Sequence, residues 1–173
     1  IGGSIIQNAL IEYPGSNANG DGYDSNANGA ITINNAFPFI ANCIIKNSGS
    51  QGLHYNMDSG QSGDLRIVDN LIYLNNTSGI GIYNPYSGPT IYIDGNIIIN
   101  NGEGISLFGD QALLTNNIIN NNQACGINTK FWGGTGLSCF ISENNISNNG
   151  SYGFYGIISQ ATFTITNNFL KGN

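Results

Sequence analysis

The sequence predicts an all-β parallel solenoid of about seven coils carrying an asparagine ladder. Three observations predict it. The first is a phrase that recurs along the chain: an Asn or Asn-Asn step, two or three apolar residues, a polar stretch, then Gly and a further apolar residue. It reads NCIIKNSGSQGL from Asn42, DNLIYLNNTSGI from Asp69, GNIIINNGEGI from Gly95, NNIINNNQACGI from Asn116 and NNISNNGSYGF from Asn144, with a shortened NNFL from Asn167. The second is composition. Ile leads the apolar set, Gly, Asn and Ser fill most of the remainder, and no 3.6-residue periodicity is sustained, so strands are expected and helices are not. The third is spacing: each repeat holds three short strand candidates, such as LLTN, NII and GINT around Asn117, too close together for crossover helices. Each strand must then pair in parallel with its equivalent one coil along.

Taken in chain order, SIIQNALIEYPG supplies the opening strands, with Ile5 expected to face inward. The long connection SNANGDGYDSNANG, Ser16 to Gly29, follows. Asp24, Asn26, Asn28 and Gly29 match the D-x-N-x-N-G opening of a calcium loop, and Asn17, Asn19, Asp21 and Gly22 match it in a second register. Alternate oxygen ligands and the Gly turn wrap a hard cation in that motif, which makes calcium a candidate cofactor. The twelfth position from Asp24 is Asn35, where the motif requires a bidentate Glu, so a solvated loop is the competing reading.

From there the last Asn of each opening step forms a column, Asn42, Asn70, Asn96, Asn117, Asn145 and Asn168, spaced by 28, 26, 21, 28 and 23 residues. Coils with fixed strands and variable loops scatter in this way. Stacked Asn amides bond to the Asn above and below, and Asn tolerates the left-handed backbone of tight turns. Cys43, Leu71, Ile97, Ile118, Ile146 and Phe169 follow the column and are expected to point inward. Gly52, Gly79, Gly104, Gly126 and Gly153 form a second column that restarts the next strand, with Leu53, Ile80, Ile105, Ile127 and Phe154 inward behind it. In FISENNIS the alternation breaks, and a bulge or one-residue insertion is expected before Asn145.

These repeats resemble the right-handed parallel β-helix proteins with pectin-lyase-like coils, and the resemblance covers nearly all of the chain. SIIQNALIEYPG followed by AITINNAFPFIANCIIKN is similar to the opening coils of surface proteins in that superfamily. The resemblance implies the fold. For function it implies a range: polysaccharide lyases, hydrolases and epimerases, non-catalytic surface and adhesin domains, and viral tail fibres. The shared residues are those of core and turn, which carry fold rather than chemistry.

The 173 residues suit a single domain, residues 1–173, and coils spaced by about 4.8 Å give a rod on the order of 30–35 Å long. A formal charge of −6, with Lys46, Arg66, Lys130 and Lys171 the only Lys and Arg, argues against nucleic acid and anionic membranes as partners. Anionic polysaccharides are disfavoured too unless calcium bridges them. No run of eighteen apolar residues is present, so membrane insertion is not expected. The chain starts without Met or a signal peptide, which points to a segment of a longer extracellular or cell-surface protein, or to a polymerising unit. Ile5 and Phe169 near its ends would then sit at coil junctions between copies.

Cys43 falls on an inward column and reads as a small buried hydrophobe. Cys125 lies in a turn and Cys139 follows the next long loop, with a disulfide between them as the alternative to two free thiols. The sequons at Asn75, Asn76, Asn145 and Asn149 arise by chance in so Asn-rich a chain.

The strand that begins at each Gly column carries the candidate site, because the resemblance implies that this sheet and its flanking loops form a saccharide groove. His54, Gly81, Ser106, Asn128 and Tyr155 make one external row, and Asn56, Tyr83, Phe108, Lys130 and Ile157 the next. Tyr86, Phe131 and Trp132 leave the sheet on loops, and Tyr152 approaches it. Exposed rings offer flat faces to sugar C–H surfaces while Asn and Ser bond hydroxyls, so Tyr83, Tyr86, Phe108, Trp132, Tyr155 and His54 are the candidate glycan-binding residues. Packing of the same rings against neighbouring loops is the competing reading. For catalysis a lyase needs a base and a cation for the uronate, and a glycosidase needs two facing carboxyls. Only Lys130 supplies a base on this row, with Glu103 and Asp110 one coil away and Asp58 and Asp64 on an earlier loop. His54 is expected to be exposed and solitary. The sequence therefore reads as an extracellular glycan-binding or cell-surface module without catalysis. A filament, stalk or fibre subunit is the alternative, and a polysaccharide lyase or hydrolase the second alternative.

Overall fold

The computed structural model describes residues 3–12, 29–57, 63–83, 90–109, 111–131, 138–158 and 162–173. No described residue is helical. Three strands make each coil: β1 (Ile5–Gln7), β2 (Leu10–Glu12) and β3 (Gly29–Asn34), then β4 (Phe39–Ala41), β5 (Ile44–Lys46) and β6 (Gln51–Asn56). The third coil holds β7 (Asp64–Val68), β8 (Leu71–Tyr73) and β9 (Ser78–Tyr83), and the fourth β10 (Thr90–Asp94), β11 (Ile97–Ile99) and β12 (Glu103–Phe108). The fifth and sixth hold β13 (Gln111–Thr115), β14 (Ile118–Asn120), β15 (Ile127–Phe131), β16 (Ser138–Ser142), β17 (Asn145–Ser147) and β18 (Phe154–Ile158), and β19 (Thr162–Thr166) and β20 (Phe169–Lys171) open a seventh. The count falls slightly short of the seven coils expected.

First, second and third strands of successive coils stack into sheets of seven, seven and six strands, all paired in parallel between neighbouring coils. Parallel pairing of equivalent segments puts like residues on like, so each position along a coil becomes a column through the rod.

Two corners set the register. Between the first and second sheets, Asn8, Asn42, Asp69, Gly95, Asn116, Glu143 and Asn167 adopt positive φ, for example 53° at Asn42 and 60° at Glu143. This conformation costs most residues about 1–2 kcal/mol and Asn or Gly less, which explains why Asn and Gly fill most of the column. The residue after each turn faces the interior, and there the ladder forms. Asn70 Nδ2 donates to Asn96 Oδ1 at 2.9 Å and to the Ile40 carbonyl one coil back at 3.0 Å, while the Asn70 backbone N–H donates to the same Asn96 Oδ1. The pattern repeats through Asn117, Asn144 and Asn168.

The ladder corrects the expected column at two of its positions. Asn42 is the positive-φ residue before the ladder, and Cys43 occupies the ladder position, its N–H donating to Asn70 Oδ1 at 3.0 Å. Asn144, not Asn145, is the rung in the sixth coil, and Asn145 begins β17 opposite Ile118. No bulge intervenes: Thr115 pairs with Ser142 and Ile118 with Asn145, with two corner residues between them in both coils. The odd look of FISENNIS comes from Glu143 filling a left-handed position that other coils give mostly to Asn.

The inward column after the ladder is corrected for the same reason. Because the rung itself points inward, the next residue points out, and alternation places the following one inside. Ile97 and Ile118 are 39% and 41% exposed, and Phe169 is also exposed, whereas Ile72, Ile98 and Ile119 are fully buried. Ile146 is inside as expected, because the one-residue slip at Asn145 cancelled the error there. Ile5 likewise pairs with the outward Phe39 and is exposed, and its neighbour Ile6 packs on the core.

A second ladder runs down the corner between the second and third sheets. Asn75, Asn101, Asn122, Asn149 and Asn173 stack with Nδ2–Oδ1 distances of 2.9–3.1 Å, each rung after the first also accepting the backbone N–H of the rung before it. Ser48 heads this column. Positive-φ residues precede it again, at Asn47, Leu74, Asn100, Asn121 and Asn148. Each corner therefore has a division of labour, the positive-φ residue bending the backbone and the residue after it holding the stack.

The Gly column lies beside this ladder for a packing reason. A Cβ on Gly126 would lie 2.7 Å from the Gly153 carbonyl, 2.7 Å from Ile146 Cγ2 and 2.8 Å from Asn149 Nδ2. Leu53, Ile80, Ile105 and Ile127 follow it inward and are fully buried, as expected, with Phe154 packed at the edge of the core.

Candidate functional site

The outer face of the third sheet has the rows expected. His54, Gly81, Ser106, Asn128 and Tyr155 are aligned by direct pairing, as are Asn56, Tyr83, Phe108, Lys130 and Ile157. Their exposure differs from expectation. His54 is 1% exposed, and Ser106 and Asn128 are buried with it; only Tyr155 in this row, on the edge strand β18, stands in solvent. His54 Nδ1 lies 3.2 Å from Oε1 of the buried Gln51, whose side chain occupies the space a Cβ on Gly81 would need. An exposed, solitary His54 is thus overturned: Gly81 leaves room for Gln51 to fold over the row and pack on the imidazole.

The next row is half-buried. Tyr83 and Phe108 stack with centroids 5.0 Å apart and planes 11° from parallel, the spacing that adjacent coils impose. One face of each ring is spent on its partner. Along the row Asn56 aligns with Tyr83 on one side of the stack and Lys130 with Phe108 on the other. Tyr152 and Tyr155 form a second pair, with centroids 5.4 Å apart, at the edge of the same face.

Among the described residues Glu103 is the one carboxylate on the strands of this sheet. Its Oε1 accepts a hydrogen bond from Asn128 Nδ2 at 3.0 Å. Lys130 aligns with Phe108, five residues along from the position opposite Glu103, or roughly 16 Å at strand rise. The fold therefore keeps Glu103 and Lys130 apart. Asp64 lies on the first sheet, 3.1 Å from Arg66. Asp110, Tyr86, Trp132, Asp58 and the loop bearing Asp21, Asp24, Asn26 and Asn28 lie outside the described residues.

Buried polar atoms line this face. Gln51 Nε2 and Asn128 Oδ1 are buried with no hydrogen-bond partner among the described residues. Such atoms mark places where ordered water or a ligand hydroxyl completes the bonding. Cys125, two residues ahead of β15, is a buried thiol outside any disulfide, and Cys43 and Cys139 are likewise buried and outside disulfides. Burial pushes the Cys125 thiol above its ordinary value and the Glu103 carboxylate adds to the push, opposed by a hydrogen bond with the Tyr152 backbone. The thiol is protonated and poorly nucleophilic at neutral pH.

A family model for right-handed β-helix regions matches residues 2–138. The chain belongs to that family, in keeping with its pectin-lyase-like coils. No curated protein and no solved structure matches it at a significant level. Within this family the sequence signals for the site were the Gly column, which located the sheet, and the aromatic second row. Gln51 was missed because its position precedes the Gly column, where Ser78, Glu103 and Cys125 in other coils share no chemistry.

Proposed function

We propose that this chain is an extracellular or cell-surface module that binds glycan on the outer face of its third sheet without cleaving it. The observation that carries the reading is the Tyr83–Phe108 stack, flanked along its row by Asn56 and Lys130. Aromatic faces take sugar C–H surfaces, and an amide and an ammonium beside them bond hydroxyls. The buried row alongside, with hydrogen-bonding capacity unspent at Gln51 and Asn128, supports a polar ligand. Separation of Glu103 from Lys130, and the single carboxylate among the described strands of the face, support binding over lyase or glycosidase chemistry.

The test is a glycan array with neutral and uronic polysaccharides, run beside an assay for unsaturated products and new reducing ends. Binding should appear and fall at least about tenfold in Tyr83→Ala, the loss of a ring contact worth ~1.4 kcal/mol. Product formation abolished by Lys130→Ala would replace this reading with an enzymatic one.

A second reading is end-to-end assembly into a filament. It is favoured by the in-register parallel stacking of all three sheets, an arrangement that a further coil extends by the same pairing. Sedimentation of wild type against Leu170→Lys tests it, since an uncompensated charge in a coil junction disfavours stacking.

A further inference from the structure

We infer that Asn75 and Asn149 are acceptors for Asn-linked glycosylation in the unfolded chain and that their modification blocks folding, so that the protein is made by a route that spares N-x-S/T sequons. Four such sequons are present, Asn75-Asn76-Thr77, Asn76-Thr77-Ser78, Asn145-Ile146-Ser147 and Asn149-Gly150-Ser151. The fold divides them into two pairs. Asn76 and Asn145 are exposed, so a saccharide on either has solvent to enter. Asn75 and Asn149 are rungs of the second ladder, 2% and 3% exposed.

Glycan transfer joins the amide Nδ2 to C1 of the incoming sugar, breaks the bond from that C1 to the diphosphate of a lipid carrier, and releases one Nδ2 proton. The amide then keeps a single N–H where the ladder uses two. Asn149 Nδ2 donates to Asn173 Oδ1 at 2.9 Å and to the Ile119 carbonyl at 3.2 Å, and Asn75 Nδ2 donates to Asn101 Oδ1 at 2.9 Å and to the Ile45 carbonyl at 3.5 Å. Space is short as well. A Cβ on Gly52 would lie 2.7 Å from Asn75 Nδ2, and one on Gly126 would lie 2.8 Å from Asn149 Nδ2. The side of each nitrogen that faces the Gly column therefore lacks room even for a methyl group.

A rung is shielded only once the next coil exists. Asn101 follows Asn75 by 26 residues, and Asn173 follows Asn149 by 24, a second or more of synthesis at about 5–20 residues/s. Pairings between coils are non-local and slow to form. Both sequons are thus open to an oligosaccharyltransferase in the nascent chain and closed to it in the folded one.

Thr77→Val with Ser151→Ala removes both sequons and leaves the rungs in place. Thr77 Oγ1 is buried without a hydrogen-bond partner among the described residues, and Ser151 is exposed, so both changes suit the fold. Wild type and the double variant are directed through the secretory pathway of cultured animal cells behind a cleavable leader, and are also made in a bacterial cytosol without glycosylation. From the bacterial cytosol both should fold, with matching circular dichroism and melting. In the animal cells wild type should be retained with sugar on Asn75 or Asn149, located by mass spectrometry, and lost from the medium. The double variant should be secreted, and so should wild type when synthesis of the lipid-linked sugar donor is inhibited; the inhibitor alone decides the matter if the variant fails to fold. Wild type secreted with both asparagines unmodified overturns the proposal, as does a folded wild type carrying glycan on either, or retention that neither the variant nor the inhibitor relieves.

Discussion

Cys43 shows how far the ladder is a matter of position. It stands where the other described coils from the third onward carry Asn, and its Sγ lies 3.6 Å from the Ile6 carbonyl, the counterpart of the Ile40 carbonyl that Asn70 Nδ2 reaches at 3.0 Å. The thiol is a weak donor there. An amide would donate both to Ile6 and to Asn70 Oδ1, so Cys43→Asn should raise stability by about 0.5–1.5 kcal/mol, measured by denaturant unfolding; a loss would mean that the first coil does not stack in the register described. Asn117 is the converse case. Its Nδ2 donates to Asn144 and Ile93, and its Oδ1 accepts from the Asn96 side chain and backbone. Asn117→Leu leaves several buried groups short of a partner and should cost roughly 2–4 kcal/mol. Asn122→Leu should cost a similar amount through the second ladder, whose bonds have the same form. Gly126→Ala introduces contacts of 2.7–2.8 Å with backbone and packed side chains and should destabilise by ~1–3 kcal/mol.

At the scale of the strand, the sequence is legible where alternation is unambiguous and misleading where it is not. On the third sheet, Gly and an inward aliphatic recur at fixed offset, and both external rows follow from them. On the second sheet, strands such as Ile97-Ile98-Ile99 offer three equivalent residues, and composition cannot say which one faces the core. Counting from the Asn column decides it only if that Asn points inward, a fact that depends on side-chain hydrogen bonds between coils rather than on any local pattern. The burial of His54 was hidden for a related reason: it depends on Gln51 reaching over Gly81, a contact between neighbouring coils that lie 30 positions apart in sequence. A direct check is chemical modification of the imidazole, which should be slow in the folded chain and become fast in Gln51→Ala.

At the scale of the whole molecule, two Asn corners and an Ile interior occupy the inside of the rod, leaving the outer faces of its sheets to meet other molecules. The third sheet's outer face carries aromatic rings beside buried polar groups, and the second sheet's carries aliphatic residues. The account holds that the first binds glycan. The measurement that tests this most directly is a glycan array probed in parallel with wild type, Phe108→Ala and Ile97→Lys, each first shown to be folded. The prediction is that Phe108→Ala loses glycan signal by about tenfold, the consequence of forfeiting ~1.4 kcal/mol of ring contact, while Ile97→Lys keeps the wild-type glycan profile. No glycan signal for wild type, or equal signal for wild type and Phe108→Ala, would contradict it.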